Sequence, residues 1–184
     1  MLKRIVIVLL CLSSYAAVAQ REIYDDGNYS FKERAYVGLG LSGLNFGRDN
    51  YYGRFFSIGG SGQLGYMVTK NFSSGVGLEY NYTTYSDIGA KDHVYGWYPF
   101  LRHNFLQKFF VQADYDMVTI KVTVPGYNEK YSYERFFAGL GYYGPAGNRA
   151  FMNVLVSYDF LYTNSSPFAS PFSIRFYFTT GFSN

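Results

Sequence analysis

Few residues in this 184-residue chain have the types and spacing that chemistry requires. The near-neutral bases are His93, preceded by Asp92, and His103, set between Arg102 and Asn104. A lipid hydrolase would need a nucleophile and a base within hydrogen-bond reach, and neither histidine has a serine two residues away. Both are therefore read as interfacial side chains without chemistry. The single cysteine, Cys11, follows the bulky Leu10, a poor match to a lipoprotein cleavage box. No metal-ligand spacing and no phosphate-cradling loop is visible, and no cofactor is expected. The strongest constellation is a scattered set of charges, Glu79, Arg102, Asp114, Asp116, Arg135, Asp159 and Arg175. Gathered on one surface, three cations and four anions would form either a gated proton or ion path or a structural network that satisfies buried charges. The structural network is the expectation adopted.

Those seven residues share more than charge: each falls on the small-or-polar parity of a segment with a two-residue period. That period recurs eight times and is the signature of half-buried strands. Greasy Leu39 and Leu41 oppose Gly38 and Gly40 in the first segment, 35–46. In the second, 56–68, Gly60 and Gly62 interrupt the greasy face, which suggests a bulge there. The third, 72–84, sets Val76, Leu78, Tyr80 and Tyr82 against Gly75, Gly77, Glu79 and Asn81, the cleanest alternation in the chain. The fourth, 93–105, carries aromatics on both parities, with Tyr95, Trp97 and Leu101 expected outside and Tyr98 and Arg102 inside. Pro99 there removes a ladder hydrogen bond. Segments 109–119, 131–143, 152–160 and 172–179 complete the set.

The connections sort into two kinds. Tight turns are expected at 69–71, 106–108 and 144–149, and longer polar loops at 47–54, 85–92, 123–130 and 163–170. Short turns at one end and longer loops at the other are the habit of outer-membrane barrels, with the tight turns and both termini in the periplasm. Residues 1–19 read as a cleaved signal peptide: Lys3 and Arg4 precede the apolar run Ile5 to Leu12, and Ala17, Val18 and Ala19 supply a small-x-small cleavage pattern. That run is far below the ~20 residues of a membrane-spanning helix. Residues 20–33 form a polar periplasmic tail, and 34–184 the barrel. Loss of Lys3 and Arg4 takes the 16 Lys and Arg to 14, against 13 acids, so the electrostatic case for binding nucleic acid disappears. Loss of Cys11 removes thiol and disulfide chemistry.

Which face of each strand meets lipid is decided by charge. A soluble barrel would point its greasy face inward and its charges to water. Here in-strand charges are few and lie with the glycines, while the greasy parity is nearly free of charge, with Lys121 and His103 as partial exceptions near segment ends. Lys or Arg at mid-membrane on the lipid face would cost about 2 to 4 kcal/mol. Small glycines would leave room for Arg and Tyr in a narrow lumen, and Tyr66, Tyr80, Tyr82, Trp97, Tyr115, Tyr142, Tyr158 and Phe178 suit interfacial girdles. Only helices and closed barrels satisfy every amide in hydrocarbon, and the period excludes helices. The fold expected is all-β: an eight-stranded antiparallel up-and-down transmembrane β-barrel.

On the repeated strand patterns, such as Gly75, Gly77, Leu78, Glu79, Tyr80 and the stretch Pro99, Phe100, Leu101, Arg102, residues 34–182 resemble the small outer-membrane barrels grouped with the transmembrane domains of OmpA and OmpX. They are similar above all to the barrel-domain proteins common in Bacteroidota. The resemblance implies insertion by the barrel assembly machinery, which reads an aromatic final strand; Phe176, Phe178 and Phe182 resemble that signal, although Ser183 and Asn184 follow. It implies outer-membrane lipids and lipopolysaccharide as surroundings, and no peptidoglycan-binding domain follows the barrel. The function expected is non-enzymatic, a structural or surface-interaction role with a partner on the surface or in the envelope. The alternatives are a lipid-modifying outer-membrane enzyme or an accessory subunit of an envelope transport or secretion complex. Tyr51, Tyr52, Tyr127 and Phe168 at loop tips are candidate surface contacts.

Overall fold

The computed structural model describes residues 31–49, 53–106, 108–146, 150–163, 165–168 and 170–181. The signal-peptide and cysteine expectations, Phe182 of the aromatic final strand, most of the periplasmic tail, and Tyr51 and Tyr52 lie outside the described residues. One helical turn, α1 (Phe31–Arg34), leads into eight strands: β1 (Ala35–Asp49), β2 (Gly53–Met67), β3 (Phe72–Tyr85), β4 (Ala90–Phe105), β5 (Phe109–Val124), β6 (Tyr127–Pro145), β7 (Ala150–Asp159) and β8 (Phe172–Gly181). Each pairs antiparallel with the next, and β8 pairs back onto β1 from Tyr36↔Gly181 to Leu41↔Phe176, closing the barrel.

The alternation read from the sequence sets the two faces. Leu39, Leu78 and Leu140 point outward with 70%, 66% and 62% of their surface exposed, whereas Phe110 and Leu155 point inward with 0%. Apolar side chains therefore cover the outside as well as part of the inside, an arrangement that water would penalise and hydrocarbon would not. The outer band, in which Glu134 is the one carboxylate among the described residues, has the right height. From His93 to His103, β4 advances ten residues, about 33 Å at ~3.3 Å each, or about 23 Å at a tilt of ~45°, close to the ~25 Å apolar band of such barrels. Aromatic clusters mark both edges. Tyr66 stacks on Phe31 and Phe109 meets Tyr142 edge-on near the tight turns, and Tyr158 packs against Phe160 and Phe172 near the other end.

Glycine and large aromatic side chains face each other as direct cross-strand partners inside the barrel: Gly65 with Tyr36, Gly75 with Phe100, Gly77 with Tyr98 and Gly141 with Phe110. A Cβ on Gly77 would stand 2.1 Å from Cζ of Tyr98, and one on Gly141 would stand 2.1 Å from Cζ of Phe110. Each ring lies across its neighbouring strand in the space that the missing Cβ leaves, so eight strands can enclose large aromatic rings.

Two expectations are corrected. The bulge lies in β1, between Leu41 and Leu44 and across from Gly60 and Ile58, so β2 itself runs without a break at Gly60 and Gly62. The longer loops expected after the odd strands are mostly strand. Pairing continues to Asp49↔Gly53, to Tyr85↔Ala90 and to Val124↔Tyr127, where Pro125 and Gly126 turn the chain with Gly126 at φ +86°. The physical reason is that these ends stand where both faces meet water, so greasy alternation fades while backbone hydrogen bonding continues. Only the connection 160–171 is long, and we call its side of the barrel the loop end. Pro99 interrupts the β4–β5 ladder between Trp97↔Met117 and Phe100↔Asp114, and pairing resumes in register.

Replacing Gly77 with valine drives a side chain into the Tyr98 ring, whereas the same change at outward Gly62 meets only Leu39 Cδ2 at 3.8 Å. Gly77→Val lowers the heat-modifiability midpoint of the detergent-solubilised protein by an amount consistent with ~1–3 kcal/mol of overpacking. Gly62→Val leaves that midpoint within ~0.5 kcal/mol of wild type.

Candidate functional site: the charged column of the lumen

All seven charged residues lie on the inward parity, contributed by six strands. Asp114, Asp116, Asp159, Arg102 and Arg175 are buried, and Arg135 and Glu79 are half-buried. The centre is Arg175 on β8, whose Nη1 donates to Asp114 Oδ2 at 2.7 Å and whose Nη2 donates to Asp116 Oδ2 at 2.8 Å. Since β8 and β5 are not neighbours in the sheet, this fork spans the lumen. Asp116 sits directly opposite Arg135 in the β5–β6 ladder, yet the Arg135 side chain turns to Asp159, donating from Nε at 2.9 Å. Asp159 also accepts from the backbone of Phe136 and Leu161 through Oδ1, at 3.3 and 3.0 Å, and so fixes the start of the long connection. Glu79 joins none of the ion pairs among the described residues.

Toward the tight turns, Arg102 takes neutral partners. Its Nη2 donates to Gln112 Oε1 at 2.7 Å and to the Tyr177 hydroxyl at 2.6 Å, and Gln112 passes a hydrogen bond on from Nε2 to Asp114 Oδ1 at 3.0 Å. A continuous chain thus links Arg102, Gln112, Asp114, Arg175 and Asp116.

Aromatic faces supply what carboxylates do not. The Arg135 guanidinium lies 3.8 Å from the Phe168 ring centroid and 4.4 Å from that of Phe137, and Arg175 lies 5.0 Å from Phe137 and 5.1 Å from Tyr98. Arg102 lies 4.4 Å from Phe110. Cation–π attraction strengthens when the pair is desolvated, so cations and rings alternate up the barrel axis.

The sequence placed the charges and the inward Tyr98, Phe137 and Gln112, but it did not pair them. Phe168 was expected outside as a loop-tip contact. Instead it turns into the mouth, against Arg135 and, at 6.0 Å, edge-on to Tyr133. The attraction of a guanidinium for a ring face outweighs the polar character of the surrounding loop, a signal legible only once Arg135 is known to lie beneath it. Tyr133 also bonds Ser166 at 3.2 Å, so Ser166 and Phe168 lie across the mouth. At mid-lumen a void of about 10 Å³ remains between Gln63, Gln112, Arg175 and Tyr177, roughly one water by volume.

His93 and His103 face outward. His93 Nδ1 is bonded to the Tyr80 hydroxyl at 2.8 Å, and its ring lies 5.1 Å from that of Tyr82. Asp92 belongs to the opposite parity. Beyond the membrane band, Arg54 donates from its backbone and side chain to Asp87, which holds that carboxyl below its ordinary range and ties β2 to the β3–β4 turn.

A closed eight-stranded barrel that is apolar outside and ionic within is an outer-membrane β-barrel protein, and the outer membrane is where it resides. No protein-family model and no curated protein matches the sequence. Among solved structures the chain is similar to Ail, the attachment invasion locus protein of Yersinia pestis, with a TM-score of 0.50 and 11% identity over 81% of this chain and 97% of that one. At that identity the likeness is one of fold.

Removing one member of the central fork leaves buried charge without a partner. Arg175→Met is expected to destabilise the barrel by roughly 3–5 kcal/mol, and Arg175→Met with Asp114→Asn and Asp116→Asn to recover a large part of that loss. Urea-induced release from lipid vesicles, followed by tryptophan fluorescence of Trp97, measures both.

Proposed function

We propose that this chain is a non-enzymatic outer-membrane barrel with a structural or surface-interaction role, its lumen filled and closed to bulk solute. The observation that carries this reading is the continuous column from Arg102 to Asp116, continued by Arg135 and capped by Phe168. Those groups are paired with one another, with Asp116 Oδ1 the one buried atom of the column left without a hydrogen-bond partner, so an ion entering the lumen would have to displace partners that water does not replace at equal cost.

The shape of the loop end supports surface contact. β6 pairs with β7 only from Phe137 onward, while its pairing with β5 runs on to Tyr127. The β5–β6 hairpin therefore stands beyond its neighbour, with Tyr127 exposed near its tip. The protein of similar fold is named for attachment and invasion; the reading here rests on the lumen and rim of this chain. Tight turns and termini facing the periplasm, assembly by the barrel insertion machinery and surroundings of lipopolysaccharide belong to the same proposal. A lipid-modifying enzyme has less support, because His93 is engaged with Tyr80 and, among the described residues, no serine or acid is hydrogen-bonded to it.

In planar bilayers the purified wild-type protein gives no steady conductance steps, and the triple variant Arg135→Ala, Asp159→Ala, Phe168→Ala gives small ones. Steady steps of porin size from wild type would overturn the closed-lumen reading. Lipid A from cells making the protein keeps the masses seen without it; a new mass species would overturn the non-enzymatic reading.

A further inference from the structure

The outer wall of β3–β6 changes character in rows as it leaves the membrane band. Val76, Pro99, Tyr115 and Phe136 are successive cross-strand neighbours or lie level on the outward parity, and Leu78, Trp97, Met117 and Glu134 form the next row. Above them come Tyr80, Tyr95, Thr119 and Ser132, and then Tyr82, His93, Lys121 and Lys130. With the exception of Glu134, whose carboxylate is bonded to the Tyr115 hydroxyl, hydrocarbon-compatible side chains thus give way to aromatic and hydroxyl groups and then to a row of bases, the order in which a leaflet presents acyl chain, ester region and headgroup.

The top row is unusual in its charges. Lys121 stands directly opposite Lys130 on one side and His93 on the other. Like charges directly opposite are destabilising in a sheet. The acids nearby do not relieve them: Asp92 and Glu129 are on the inward parity, and outward Glu134 accepts a hydrogen bond from the Tyr115 hydroxyl at 2.6 Å, two rows down. Neither lysine forms an ion pair among the described residues, and Lys130 Nζ lies 6.0 Å from the centroid of the Tyr95 ring. Both lysines are exposed. Tyr80 holds the His93 ring through Nδ1, which leaves Nε2 free of that bond.

We infer that Lys121 and Lys130, with His93 beside them, form a docking site on the outer wall for the phosphate groups of a phosphorylated glycolipid in the leaflet at the loop end. An anion between the two ammonium groups turns a repulsive pair into two attractive ones. Acyl chains of the same lipid would run down over Tyr95, Trp97 and Leu78 along a groove of about 540 Å³ across β3–β6, at whose edge the Glu134 carboxylate is held by the Tyr115 hydroxyl. The groove's apolar floor beneath a cationic rim favours a lipid over a free anion. This goes beyond the closed-lumen reading and rests only on residence in the outer membrane, since the lysines and the lumen are on opposite faces of the wall.

The test is the heat-modifiability midpoint of the full chain in phosphatidylcholine vesicles, with and without lipid A. Lipid A is expected to raise the wild-type midpoint by several degrees. It should raise that of Lys121→Gln/Lys130→Gln by less than half as much, and that of Lys121→Arg/Lys130→Arg by nearly the full amount. Lys108→Gln, at the opposite rim, serves as the control for lost charge and should respond as wild type does. An equal rise in the double glutamine variant and wild type would overturn the assignment. So would an equal rise when phosphatidylglycerol replaces lipid A, which would mean attraction to any anionic surface, or when inorganic phosphate does, which would mean a free-anion site. Conductance read on the same samples reports the lumen separately.

Discussion

Every backbone amide immersed in hydrocarbon needs a hydrogen-bond partner, and the ladder between β1 and β8 supplies the last of them. Six cross-strand pairs, from Tyr36↔Gly181 to Leu41↔Phe176, close the sheet. Once it is closed the radius is fixed, and the inside has to be filled with what that radius admits. Opposed glycine and aromatic positions answer this. Phe100, Tyr98, Phe110 and Tyr36 each lie over a strand that has no side chain at the contact, so the interior is dense although the wall is bare backbone beneath each ring.

The same closure dictates how charge is handled. Three arginines within a narrow low-dielectric cylinder would be unfavourable alone, and three aspartates equally so. Their arrangement disperses rather than concentrates the compensation. Arg175 takes two carboxylates, Arg135 takes one carboxylate and two rings, and Arg102 takes an amide, a phenol and a ring. The neutral link Gln112 joins one level to the next, so a change at Arg102 is felt at Asp114.

The strand count, the parity of every charged side chain in the column and the inward glycines were legible in the sequence, because a two-residue period ties each residue to a face wherever the two faces meet unlike surroundings. Where both faces meet water, as around Thr123 to Lys130, that contrast vanishes and strand was read as loop. Pairing was illegible for a different reason. Asp116 faces Arg135 in the ladder but bonds Arg175 from across the lumen, a choice set by stagger and side-chain reach rather than by neighbourhood. Phe168 shows the same limit: its position in a polar stretch says nothing of the guanidinium it covers.

The fork of Arg175 has a bearing on the order of assembly. β8 is the final strand, and it alone carries the cation for Asp114 and Asp116 and the phenol for Arg102. Until that strand docks on β1, two aspartates of the seven-stranded sheet have no counter-ion, and the open seam admits the water that must solvate them. Dehydrating the interior and zipping the seam are consequently one event: a half-shut sheet is held wet by its own acids, and the finished cylinder is dry because its last strand brings the neutralising group.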